Sequence, residues 1–89
     1  MPEATLQRYA GRYELAPTFV VEVTAEGDRL FVQATNQPRF RVYAASATRF
    51  FLKVVEAEVE FLTDSSGAVT GMVLHQGGRS TPGARLPQP

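Results

Sequence analysis

Hydrophobic and polar positions change period once near the start of the chain. Over residues 2–10, Leu6, Tyr9 and Ala10 fall on one side at helical spacing, Pro2 is tolerated in a first turn and Gly11 stops the run. This predicts about two turns of helix. From residue 19 the period is two, with Phe19, Val21 and Val23 on one side and Val20, Glu22 and Thr24 on the other, the signature of a half-buried strand. Glu26-Gly27-Asp28-Arg29 supplies turn chemistry into residues 30–35, so the two runs form an antiparallel hairpin, and Asn36-Gln37-Pro38 ends the second strand. Residues 39–43 alternate again, with Phe40 and Val42 opposite Arg39, Arg41 and Tyr43, before the corner Ala44-Ala45-Ser46-Ala47, which reads as a tight turn or a brief helical turn.

Two β-rich runs follow at residues 49–55 and 57–63, and Asp64-Ser65-Ser66-Gly67 turns the chain into residues 69–76. After Gly77-Gly78, residues 79–86 form a last strand, in which Pro82-Gly83 favours an edge position or a bulge, and the tail 87–89 frays. With the run around residues 12–15, residues 11–86 hold seven or eight short strands joined by hairpin-sized turns and no crossover helix. That is an all-β antiparallel meander that bends into a barrel or sandwich. About eight strands of this length give a barrel whose side chains nearly fill it, leaving at most a small cavity, with the N-terminal helix plugging one end. Strand phase sets Phe19, Leu30, Phe50, Phe61 and Val73 inward. It sets Phe31, Phe51, Leu62, Met72 and Leu74 on the opposite side, an apolar excess expected to mark an interface with a neighbouring domain or a second copy.

Composition narrows the classes. Eighty-nine residues suffice for one core, so residues 1–89 are read as a single domain, and a hydrophobic share of 44% with nine aromatics is that of a folding chain. Nine basic residues balance nine acidic ones, leaving no net field to attract nucleic acid or an anionic membrane. Without cysteine there is no disulfide, thiolate nucleophile or zinc-thiolate site. Met1-Pro2-Glu3-Ala4 lacks the basic and apolar segments of a signal peptide and no run approaches a membrane span, so a soluble chain without an address is expected.

Candidate chemistry is sparse. Ser46 is followed three residues later by Arg49, which stays protonated and cannot replace the lysine of a Ser-x-x-Lys site, and Ser65 and Ser66 have no such lysine either. His75, the single histidine, ends a strand beside the Gly77-Gly78 turn without neighbouring ligands at metal spacing, so neither a catalytic nor a metal site is expected. Glu56, Glu58 and Glu60 form an acidic stripe read as a solvated outer face, and Arg39 and Arg41, sharing a face with Tyr43, are expected to pair with it across strands. The glycines read as turn residues, not phosphate cradles, since no helix follows them.

Tyr9-Ala10-Gly11-Arg12-Tyr13 is an aromatic-x-Gly-x-aromatic opening. In order after it come Gly27-Asp28-Arg29-Leu30, Arg49-Phe50-Phe51, Val59-Glu60-Phe61, the turn at residues 64–67 and Gly71-Met72-Val73-Leu74-His75-Gln76-Gly77-Gly78. This ordered set, spanning residues 6–86, resembles the lipocalin-like accessory domain found C-terminal to serine β-lactamase-like and penicillin-binding-protein-like hydrolases. The resemblance implies a small non-catalytic barrel beside a separate catalytic domain, contributing to docking, oligomerisation or substrate access, without a cofactor, in enzymes that are often exported. As the chain opens at Met1 with no hydrolase domain before it, it is read as an excised domain or a free-standing relative. Its expected interface is Phe31, Phe51, Met72 and Leu74. The alternative is a small lipocalin-like carrier of an apolar ligand, with Tyr13, Phe40, Tyr43, Phe50 and His75 at the mouth.

Overall fold

The computed structural model describes residues 2–87. One helix, α1 (Glu3–Tyr9), precedes eight strands: β1 (Gly11–Ala16), β2 (Phe19–Glu26), β3 (Arg29–Ala34), β4 (Arg39–Ala44), β5 (Arg49–Phe51), β6 (Ala57–Thr63), β7 (Val69–Gln76) and β8 (Arg79–Arg85). Each strand pairs antiparallel with the next, and β8 returns to β1, so the meander closes into a barrel in sequence order. The fold is all-β with one short N-terminal helix, as the alternation predicts.

α1 covers one end. Leu6 and Tyr9 turn inward, and the Tyr9 ring stacks on Phe61 with centroids 4.2 Å apart while Phe50 meets both edge-on. Tyr13 is fully buried beneath them and donates its hydroxyl to the Tyr9 carbonyl at 2.8 Å, and the Tyr9 hydroxyl donates to the Ala47 carbonyl at 2.7 Å. Arg85, at the end of β8, donates to the Ala10 carbonyl at 2.6 Å and fastens the helix exit to the barrel. Four aromatic rings thus fill the helix end, burying large apolar area where the small chain needs it most.

The corner at residues 45–48 takes the tighter of its two expected forms, a bend in which the Ala45 and Ser46 N–H groups both donate to the Arg49 carbonyl. Two expectations require correction. The run at residues 49–55 is a strand only over Arg49–Phe51. The chain must reverse before Ala57, and the Leu52 N–H closes that loop on the Ala57 carbonyl at 3.0 Å. Finally, β7 has the opposite phase from the one predicted. Val69 and Met72, three residues apart, are both buried, whereas Val73 is only half-buried and faces outward with Glu60. An irregularity in the β6–β7 register near Gly71 inserts a residue, and beyond such a bulge every side chain changes face. Met72, expected at an interface, is therefore 0% exposed and belongs to the core.

The edge character expected around Pro82 has a local counterpart. β8 pairs with β7 from Arg79 to Ala84, but with β1 only at Ala84 and Arg85, so Pro82 has a strand neighbour on one side alone. A residue without an N–H is tolerated there. Residues 88 and 89 of the expected frayed tail lie outside the described residues.

Candidate functional site

The barrel is filled unevenly. The helix end holds Tyr9, Tyr13, Phe50 and Phe61, while the inward positions toward the other end include Ala34 and Ala57. Small side chains there leave an open mouth of about 210 Å³. β2 contributes Phe19 and Val21, β3 Val32 and Ala34, β4 Phe40, β6 Val59 and β7 Leu74. The β5–β6 connection overhangs it with Leu52 and Val55, and Gln37 and Gln76 supply the polar groups of the lining. Val54 and Val55 on that connection are 68% and 42% exposed, unusual for side chains so apolar.

On the outer surface, cross-strand register draws Tyr43, Phe51, Glu58, His75 and Ser80 into one continuous row over β4 to β8. Its acidic half faces a cation: Arg49 approaches Glu58 at 3.4 Å and Glu60 at 3.9 Å. His75 lies between Glu60, 3.1 Å from Nε2, and Ser80, 2.8 Å from Nδ1. Since a carboxylate only accepts, neutral His75 carries its proton on Nε2 and accepts the Ser80 hydroxyl at Nδ1. This has the connectivity of a nucleophile, base and carboxylate. Yet the three groups sit on the neighbouring strands β6, β7 and β8, and His75 and Ser80 line a broad, water-open depression, where polar side chains placed opposite by register pair in any case.

The other half of the surface is cationic and aromatic. The Arg39 guanidinium lies 3.8 Å from the Phe31 ring centre, while Arg41 and Lys53 lie 4.7 and 4.0 Å from that of Tyr43. Tyr43 in turn packs on Phe51, with centroids 5.8 Å apart. Arg39 pairs with Glu26 in the β2–β3 hairpin and not with the glutamate stripe as expected, because the nearest register partner of the stripe is Arg49. Glu56 precedes β6, so only Glu58 and Glu60 of the expected stripe stand on the strand.

The structure thus divides the residues singled out from sequence. Of the expected mouth set, Phe40 lines the mouth; Tyr13 and Phe50 are 0% and 1% exposed in the core at the helix end, and Tyr43 and His75 stand outside. These positions correct the mouth as expected from sequence, because inward phase alone does not say toward which end a side chain lies. Of the expected interface set, Phe31 and Phe51 are on the outer face, Leu74 lines the mouth and Met72 is buried. Sequence reading missed Ala34, Leu52, Val55 and Ala57. The signal for Leu52 was present, since it continues the inward phase of Phe50.

Comparison with known proteins places this barrel. The sequence matches the family described as domain of unknown function DUF3471 over residues 1–85. The chain belongs to that family. It is also 36% identical over 75 residues to penicillin-binding protein 4* of Bacillus subtilis (strain 168), a stretch covering 84% of this chain and 16% of that protein. A DUF3471 barrel here therefore corresponds to a minor part of a much longer relative. The earlier resemblance to the accessory domain of penicillin-binding-protein-like hydrolases agrees with both matches.

Proposed function

We propose that this DUF3471 barrel is a non-catalytic accessory module of a serine β-lactamase-like hydrolase, which docks beside the catalytic domain and contributes to its assembly or to substrate access. The observation that carries this reading is the match of 84% of the chain to 16% of a penicillin-binding protein. The docking surface is the cationic and aromatic outer face around Phe31, Tyr43 and Phe51, where rings and guanidinium groups combine the chemistry enriched at protein interfaces.

The test is titration of the immobilised chain with the catalytic domain of a hydrolase that carries such a module, with the module removed. Saturable binding lost in the Phe31→Glu/Phe51→Glu double variant supports the reading, and no binding at hundred-micromolar concentration sinks it. The non-catalytic part is tested with p-nitrophenyl acetate. Turnover that Ser80→Ala or His75→Ala abolishes would overturn it.

The open mouth favours a second reading, in which the barrel holds a small apolar molecule. Its volume of about 210 Å³ is below the usual range of drug-sized sites, which begins near 300 Å³, so any such ligand is small.

A further inference from the structure

We infer that the mouth of the barrel binds the apolar end of a small neutral amphiphile, an aryl ring or an alkyl group of similar bulk, whose amide-like polar end remains at the rim. This rests on the second reading above and specifies its ligand.

Size sets the first limit. An apolar cavity of roughly 150 Å³ accepts benzene, so about 210 Å³ accommodates such a ring with a few further atoms. A long acyl chain exceeds it, and a docked helix or strand would insert little more than one side chain. Charge sets the second limit. No lining residue is charged, so an ionised group taken inside would lose its hydration without a partner. The third is the rim chemistry. Gln37 and Gln76 each carry both a donor and an acceptor, which an amide matches in both senses and a carboxylate matches only in part. Finally, Leu52 and Val55 descend from the β5–β6 connection onto the opening, so a molecule seated there also shields apolar surface that the free barrel leaves to water.

The experiment is a methyl NMR titration of the full chain with phenylacetamide, run in parallel with dodecanoate. Phenylacetamide is expected to shift the methyl signals of Val21, Val55, Val59 and Leu74 saturably, with a Kd on the order of 1 mM or tighter, and to leave Val23 and Val69 unchanged. Ala34→Leu, which fills the mouth, is expected to weaken binding at least roughly tenfold. Should that variant lose the dispersed spectrum of a folded barrel, Gln37→Ala/Gln76→Ala serves instead, weakening phenylacetamide several-fold while leaving toluene unaffected. Shifts that do not saturate, or that map to the outer face, overturn the inference. If dodecanoate saturates the mouth methyls and phenylacetamide does not, the assigned ligand class falls while the carrier reading stands. If neither binds, both fall.

Discussion

Tyr13 and Met72 show how single side chains hold this small barrel. The phenol of Tyr13 has no exposed surface and hydrogen-bonds inward, and burial, partly offset by nearby Arg85, pushes its pKa up to about 12 from 10.0. The folded state thus keeps a proton that the unfolded chain releases near pH 10. Stability from this group is complete below that pH and is lost as pH rises toward 12, by roughly 2–3 kcal/mol in total. Absorbance titration of tyrosinate near 295 nm, read beside circular dichroism, is expected to show one tyrosine ionising late and with unfolding; in Tyr13→Phe that late step disappears. Met72 offers a second test. Met72→Ala removes most of a fully buried side chain and is expected to cost about 2–5 kcal/mol in urea unfolding. A loss below about 0.5 kcal/mol, the level of surface substitutions, would return Met72 to the outer face.

At the scale of elements, closure depends on how near β7 and β8 approach. A Cβ on Gly71 would stand 2.6 Å from the Gly83 carbonyl oxygen, a backbone atom that moves only if the strands separate. Gly71→Ala is therefore expected to lose about 1–3 kcal/mol through overpacking. Gly77, in the β7–β8 turn, has open space around its missing Cβ but a φ of +61°, so Gly77→Ala carries only the cost of left-handed backbone, about 1 kcal/mol. Thermal melts of the pair check the order. Equal losses would mean that the β7–β8 contact does not limit closure. The β6–β7 turn has an electrostatic signature instead. Asp64 accepts from the hydroxyl and N–H of Ser66 and from the Ala68 N–H, and these bonds hold its carboxyl below its usual value of 3.8. The turn's contribution is present above pH 3.8 and is lost as pH falls through the lowered value. NMR titration of the Asp64 side chain is expected to show this, and Ser66→Ala should move its midpoint back upward.

For the whole molecule, the uneven filling of the barrel and the division of its outer face define two surfaces with separate consequences. Under the two proposals above, the mouth would take a small ligand, and the Phe31–Phe51 face would take a catalytic domain or a second copy. Light scattering across a concentration series distinguishes a self-associating chain from a monomer. If the outer face joins two copies, Phe31→Glu/Phe51→Glu is expected to return the mass to that of one chain without lowering the melting temperature by more than a few degrees. A strict monomer at millimolar concentration removes self-association and leaves the catalytic domain of a hydrolase as the partner to test.

The all-β class, the helix and a run for each of the eight strands were legible in the sequence because alternation and turn chemistry are local. Phe19, Val21 and Val23 need only a two-residue period to choose a face, and Gly27-Asp28 and Gly77-Gly78 specify hairpins through backbone conformations available over a few residues. The family landmarks were legible for the same reason. Three features needed the folded barrel. The phase of β7 depends on a bulge that exists only where β7 meets β6, which reversed the reading of Met72 and Val73. The site depends on which end an inward residue occupies: Tyr13 and Phe50 share the inward phase of Phe40, yet they fill the helix end while Phe40 lines the mouth. The His75, Glu60 and Ser80 network joins residues on three strands, brought opposite one another by register. Periodicity along a chain records the side of a sheet, whereas depth within a barrel and pairing across it are set by closure, which couples residues far apart in sequence.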